Sequence, residues 1–246
     1  MYSFFVNPSQ IQGNTIYITG SDVKHIKNVL RMKVGEELSV RNGVDEKEYR
    51  CAVEALEEEQ IVCSLRFVKE EGVELSSKVY LFQGLPKADK MELIVQKAVE
   101  LGVWEVIPVS AKRAVVKLDE KKAKVKRERW QTIAESAAKQ SKRSIVPQVK
   151  EVMTMKEAIR YAAGMEIRLI PYELAEGMQK TKDIISALKK EQSIAIFIGP
   201  EGGFEESEIK EATESGIVPV TMGKRILRTE TAGLTMLAWI MYQLEE

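Results

Sequence analysis

The chain has 246 residues, 44% of them hydrophobic and 30% charged, with 37 Lys+Arg balanced by 37 Asp+Glu for a formal net charge of zero. This is the composition of a soluble globular protein of one or two domains, so a nucleic-acid surface has to be a local patch and not a global bias. No apolar stretch approaches the ~20 residues of a membrane span, and the opening MYSFFVNPSQ lacks a basic n-region and a long apolar h-region, so neither a membrane anchor nor a signal peptide is expected and the location reads as cytoplasmic.

Residues 1–70 read as mostly β. Phe4-Phe5-Val6 and Thr15-Ile16-Tyr17-Ile18 are short strands, and Ser21 or Asp22 caps a helix over Val23–Arg31. Gly35 turns into Glu37–Val40, and Asn42-Gly43 is a hairpin signal. Tyr49, Cys51 and Val53 alternate with polar residues, as do Ile61, Cys63, Leu65 and Phe67, which describes a small half-buried sheet or barrel. Cys51 and Cys63 share one parity and read as buried free thiols. With one His and two Cys, a zinc site has too few ligands, and nothing near His25 supports a Ser-His-Asp triad. His25, Lys27, Arg31 and Lys33 form a basic cluster, which fits a phosphate contact or a solvated helix face. The polar segment 68–78 reads as a linker, dividing the chain into domains 1–72 and 73–246.

From Lys78 the pattern changes. Val79–Gln83 is an apolar strand ending at Gly84, and Met91, Ile94, Val95, Ala98 and Leu101 mark an amphipathic helix closed by Gly102. Val103–Val109 completes a βαβ unit, hence a parallel sheet. Lys87, Lys90 and Lys97, with Arg113 after the second strand, are expected on the rim at the carboxyl ends of the strands. Residues 119–143 form a long helix whose basic run Lys121–Arg129 reads as a solvated face or an RNA contact. Glu166–Pro171 is a further strand and Asp183–Lys190 a short helix. About five strands alternate with helices over residues 79–244.

The stretch 194–231 organises the second domain. Ile194–Ile198 is a buried strand stopping at Gly199-Pro200-Glu201-Gly202-Gly203. A polar helix runs from about Glu206 to Ser215, a strand over Ile217–Met222 ends at Gly223, and an apolar helix runs from Ala232 to Leu244. In open α/β sheets ligands bind at such strand ends. Gly199–Gly203 is neither G-x-G-x-x-G nor a P-loop, and Pro200 removes a backbone donor that a phosphate nest would use. The glycines therefore fit either close approach to a flat or neutral ligand or a turn made for sterics alone.

Four segments together resemble one family: Leu30–Gly35 (LRMKVG), Gln96–Val103 (QKAVELGV), Ile198–Phe204 (IGPEGGF) and Gly223–Ala232 (GKRILRTETA). The chain resembles, over nearly its whole length, the bacterial small-subunit ribosomal RNA uridine-N3 methyltransferases of the SPOUT superfamily (the RsmE type). The resemblance implies an N-terminal PUA-like β-barrel that binds RNA, and a C-terminal α/β SPOUT domain with a parallel sheet and a trefoil knot. It also implies S-adenosylmethionine as cofactor, a homodimer, and 16S rRNA as substrate, at a decoding-region uridine of the assembled small subunit.

Carried over position by position, the cofactor loops are Leu169, Ile170, Pro171 and Tyr172 up to Glu173; Ile198, Gly199, Pro200, Glu201 and Gly202; and Met222, Gly223, Ile226 and Leu227. Arg228, Thr229 and Glu230 would face the methyl sulfonium and the base. Uridine N3 is a poor nucleophile while protonated, so the site must remove that proton and stabilise charge on the ring carbonyls. Arg228 suits the stabilising role, and Glu230 or Glu173, with Glu201 third, suits the base; each carboxylate also reads as an arginine partner or helix cap. Charge and rim position assign RNA gripping to Arg31, Lys33, Lys87, Lys90, Lys97, Arg113 and Arg143. Two other readings stand beside this one. A sister ribose 2′-O-methyltransferase would carry Ser-Leu-Asn where this chain has Arg228-Thr229-Glu230-Thr231, and a non-catalytic RNA-binding protein would not need intact glycine loops.

Overall fold

The computed structural model describes residues 1–70, 72–175 and 177–245. It divides into two compact units, Met1–Glu74 with Ala138–Val146, and Leu75–Ala137 with Pro147–Glu246.

The first unit is built on a six-stranded sheet in the order β1-β4-β5-β6-β3-β2. Its strands are β1 (Ser3–Phe5), β2 (Ile11–Gln12), β3 (Thr15–Thr19), β4 (Glu37–Arg41), β5 (Glu48–Leu56) and β6 (Gln60–Lys69). Only β1 and β4 pair in parallel. Alternation drives the core: Ile16 and Ile18 of β3 face inward with Leu38, Val40, Val53, Ile61 and the two thiols. Cys51 and Cys63 are free and buried; Cys51 Sγ donates to the Leu38 carbonyl, and the neighbouring Cys63, with burial, pushes the Cys51 thiol up. Register shifts after Arg50 and Val53 bend β5. Asn42-Gly43 opens a longer loop than a two-residue hairpin, because the Asn42 carboxamide accepts from the amides of Val44 and Asp45.

The helix expected over Val23–Arg31 is shorter and irregular. It comprises α1 (Ser21–Lys24) and a π turn over His25–Val29, closed by Leu30 N–H donating to the His25 carbonyl. Arg31 then takes a positive φ of 52°, which ends the helix and leaves Arg31 and Lys33 exposed on either side of buried Met32.

The second unit is an all-parallel seven-stranded sheet in the order β10-β8-β7-β12-β11-β13, with β9 also paired to β8. In chain order its elements are β7 (Lys78–Gly84), α2 (Lys90–Glu100), β8 (Glu105–Ser110), α3 (Glu120–Gln140, whose end enters the first unit), β9 (Gln148–Val149), β10 (Met153–Thr154) and α4 (Met155–Tyr161). There follow β11 (Ile167–Pro171), α5 (Met178–Ser186), β12 (Ser193–Ile198), α6 (Glu206–Glu214), β13 (Val218–Val220) and α7 (Thr229–Leu244). The five strands read from sequence are the long ones, and the structure adds the two-residue strands β9 and β10. Central β7 and β12 run as near-continuous apolar strands because both faces are covered. Phe82 and Phe197, directly paired across them, stack with ring centroids 4.2 Å apart. On the other face, buried Gly233 lets α7 lie close to Leu81, Gln83 and Ile198.

Candidate active site

The strands of a parallel sheet all end on one edge, and here the loops after β11, β12 and β13 meet there. They enclose a cleft of about 620 Å³ lined by Pro171–Leu174, Ile198–Phe204 and Thr221–Thr229, together with Lys90, Arg113, Glu206 and Ala232. That volume is in the range of sites for small-molecule cofactors, roughly 300–1,000 Å³.

Close backbone packing holds the middle loop. A Cβ on Gly84, the last residue of β7, would lie 2.6 Å from the ring Cδ and the nitrogen of Pro200. One on Gly202 would meet the Arg113 carbonyl at 3.1 Å, and one on Gly199 would meet the Gly203 backbone at 3.1 Å. Gly203 takes a φ of +67° and donates its N–H to the Pro200 carbonyl at 2.8 Å, the geometry for which glycine is the low-strain residue. Gly199 and Gly202 thus pack tightly against neighbouring backbone as well as lining the cleft.

A buried hydrogen-bond chain joins three elements beneath this loop. Gln83, fully buried, donates through Nε2 to Thr229 Oγ1 at 2.8 Å and to the Gly84 carbonyl at 3.0 Å, and Thr229 Oγ1 donates to the Gly199 carbonyl at 2.6 Å. Gln83 Oε1 meets no donor among the described residues, at a desolvation cost of about 1–3 kcal/mol for an unmet polar group. Helix α7 begins at Thr229, three residues earlier than the apolar pattern indicates, with Arg228 as its N-cap residue. Thr229 is consequently buried and its hydroxyl committed, so it does not face the cleft freely.

Charge gathers on the rim. The Lys90 ammonium at the start of α2 lies 3.0 Å from Glu201 and 3.2 Å from Glu230, and the Lys87 amide donates to both Glu201 oxygens. The hydrogen bond to Glu201, aided by Glu230, holds Lys90 above its ordinary pKa. Burial works to raise the Glu201 carboxyl, but its donors outweigh burial and leave it below the usual range. On the next loop, the buried Glu208 carboxylate accepts from the Lys112 and Glu205 amides, tying the end of β8 to the N-terminus of α6. Arg228 and Glu173 are exposed and line the cleft, and Glu173 has no ion-pair partner among the described residues.

Most of the sequence-derived cofactor positions therefore converge. Leu169 and Ile170 do not: they are buried within β11, Ile170 in the core cluster, and the lining starts at Pro171. Lys87, Lys90 and Arg113 stand at the carboxyl edge as expected. Lys97 does not, because α2 runs back from that edge, and seven residues carry it roughly 10 Å away, where it pairs with Glu100 at 2.8 Å. Arg143 is also no surface cation. It is buried in the first unit, its Nε donating to Glu74 at 2.9 Å, and the same carboxylate accepts from the Ser144 and Ile145 amides. Glu74 lies in the segment read as a polar linker. Sequence reasoning passed over Gln83, although a lone amide at the end of an otherwise apolar strand was a signal.

Fold and cleft define the class. The chain is an RNA methyltransferase: the family model described as RNA methyltransferase domain matches residues 73–241, and that described as RNA methyltransferase PUA domain matches residues 18–66. More particularly, it belongs to the ribosomal RNA small subunit methyltransferase E family. It is 42% identical to that protein of Bacillus subtilis (strain 168), over 94% of this chain and 91% of the relative, and 34% identical to that of Mesomycoplasma hyopneumoniae (strain 232), over 96% and 97%. A crystal structure of the ribosomal RNA small subunit methyltransferase E of Neisseria gonorrhoeae bound to S-adenosyl methionine superposes with a TM-score of 0.82 at 30% identity, covering 97% of this chain and 95% of that one.

Proposed function

We propose that the chain transfers a methyl group from S-adenosylmethionine to N3 of a uridine in the decoding region of 16S rRNA, in the cytoplasm, on the assembled small subunit. The observation that carries this reading is the cleft itself: three strand-end loops, the middle one with Gly199 and Gly202 pressed against neighbouring backbone, close on an exposed Arg228 at the start of α7. The residues fit the cofactor. Pro171, Tyr172, Ile198, Met222, Ile226 and Leu227 offer apolar surface to an adenine and ribose, while Gly199–Gly202 and Gly223 permit backbone approach. When bound, S-adenosylmethionine supplies a methyl group already activated on a sulfonium.

The protein's own work is then positioning and charge control. Arg228 is a permanent cation beside the positive end of the α7 dipole, so both favour negative charge developing on the uracil carbonyls. Glu173, uncommitted and on the cleft wall, takes the N3 proton. Glu230, bound to Lys90, orients that corner. Arg31 and Lys33 on the first unit, and Lys87, Lys90 and Arg113 on the cleft rim, contact phosphate. The target base must leave its stack to expose N3. The knotted threading and the homodimer belong to this reading too. On α7, half-buried Leu234, Ala238 and Met241 and the 85% exposed Tyr242 offer an apolar face to a second copy, and sedimentation at a dimer mass is the expected result.

The deciding assay is methyl transfer from labelled S-adenosylmethionine to unmodified small subunits, naked rRNA and tRNA, followed by reverse transcription. Label in 16S rRNA with one sharp stop at a uridine supports the reading, because N3-methylation blocks the Watson–Crick edge. Label without a stop assigns the ribose, and cofactor binding without any label on any RNA rejects the substrate.

A further inference from the structure

We infer that Gln83, outside the cleft lining, is a positioning residue: it sets the alignment of the α7 start, which carries Arg228 and Glu230, against the Gly199–Gly203 loop. The inference rests on the proposed methyl transfer for its catalytic consequence, though not for the alignment itself.

The chemistry of the chain of bonds fixes its direction. A carboxamide nitrogen has two hydrogens, and both are spent, on Thr229 Oγ1 and on the Gly84 carbonyl. Thr229 Oγ1 must therefore accept from Gln83, and its single proton is free for one acceptor only, the Gly199 carbonyl at 2.6 Å. Turning the amide over would set Oε1 against the Gly84 carbonyl, so the observed orientation is the one that satisfies all three groups. Arg228 supplies no side-chain cap to α7, and Thr229, the first helical residue, spends its hydroxyl on the neighbouring loop. The start of α7 is thereby tied through side chains to β7 and to the turn after β12, and the residues on either side of Thr229 are Arg228, proposed to stabilise the developing charge, and Glu230, which pairs with Lys90 at that corner of the cleft. A fully buried amide among Leu81, Ile198 and Gly233 is an expensive way to fill space that Leu or Met would fill.

The test compares Q83M, Q83E, T229V and T229S in the full-length protein. Q83E keeps the volume but reverses the bond polarity, pulling the Thr229 proton away from Gly199. Expected are folded proteins in which Q83M, Q83E and T229V lose kcat by ~30-fold, in line with small misplacements of reacting groups, while KM for S-adenosylmethionine stays within threefold. T229S should restore the wild-type rate, and the Q83M/T229V double variant should be no worse than either single change. Wild-type kcat in folded Q83M, or losses that multiply in the double variant, would overturn the inference. If Q83M fails to fold, T229V decides by the same criterion. Hydrogen exchange separates the two readings. Loss of amide protection in Q83M at both 199–203 and 229–233 supports the alignment role even if the wild-type enzyme methylates none of the RNAs offered, a result that would count against the proposed reaction alone. Unchanged protection at both segments would remove the alignment role.

Discussion

Lys90 sits 3.2 Å from Glu230, although 140 residues of chain separate them, and the same ammonium holds Glu201 at 3.0 Å. One cation at the start of α2 thus neutralises carboxylates from the glycine loop and from the first turn of α7. Without it, two negative charges would face each other across the mouth of the cleft.

Replacement of Lys90 by Met should therefore reach beyond weaker RNA binding. The expected outcome is a ~10-fold or greater fall in single-turnover methyl transfer, partly restored when E201Q is added, because the second change removes the repulsion that the first exposes. Rapid-quench assays at saturating RNA provide the measurement, and an additive double variant would contradict the clamp.

The pH dependence of this cluster follows from its two shifts. The Glu201 carboxyl is lowered on folding, so its contribution is present above the ordinary carboxyl range and lost as pH falls through the lowered value. Lys90 is raised, so its contribution is complete below the ordinary lysine range and lost as pH rises through the raised value. The Tm difference between wild type and E201Q should hold steady from about pH 6 to 8 and close below about pH 4. The difference between wild type and K90M should persist to about pH 10. Thermal melts across pH check both limbs.

Arg228 is exposed, so changing it should spare the fold. R228A is expected to retain Tm and to bind S-adenosylmethionine within about threefold, yet to lose at least ~100-fold in methyl transfer, the scale of removing one donor to a developing anion. R228K should recover only part of this, since an ammonium lacks the planar fork of the guanidinium. Calorimetry and single-turnover rates together test it.

Gly84→Ala probes the loop from below. The new methyl group would collide with Pro200 at 2.6 Å, and overpacking of this kind costs about 1–3 kcal/mol. Because strain enters at the cofactor loop, affinity for S-adenosylmethionine should fall by roughly 10-fold or more, consistent with that energy. Gly203→Ala has open space around its Cβ and should cost only about 1 kcal/mol for its positive φ. Denaturant melts paired with cofactor titrations give the comparison.

The cations proposed for RNA divide into two kinds. R31E/K33E should weaken RNA binding and flatten its salt dependence with Tm unchanged. R143M should instead destabilise the protein by about 3–5 kcal/mol, because it leaves the buried Glu74 carboxylate without its counter-ion. Filter binding across salt concentrations, with melts in parallel, separates them.

What was legible in the sequence was periodic or punctuated. The apolar runs at Val79–Gln83 and Ile194–Ile198 mark strands buried on both faces, and Gly84, Gly199–Gly203 and Gly223 mark where they stop. What escaped depends on partners distant in sequence. Arg143 carries the same charge as Arg31, and only its packing beside Glu74 makes it structural. Lys97 was assigned to the rim from the strand before it, without allowing for α2 reversing the direction of travel. Leu169 and Ile170 belong to the strand and not to its end, a boundary that apolar sequence alone does not mark. The start of α7 was placed late because Thr229-Glu230-Thr231 has the polar look of a loop, while the structure turns Thr229 inward, where its hydroxyl meets Gln83, a partner 146 residues away in sequence.

The pairing of β7 with β12 sets a demand on synthesis. These two strands form the centre of the parallel sheet, yet β12 leaves the ribosome roughly a hundred residues after β7, a delay of about 5–20 s at ordinary elongation rates. Throughout that interval the emerging β7-α2-β8 unit presents an open strand edge and the unburied Phe82. Loop closure over such a distance also slows the search for the native pairing. Nascent-chain solubility, more than equilibrium stability, is therefore where a change in β7 or β12 would be felt first in the cell.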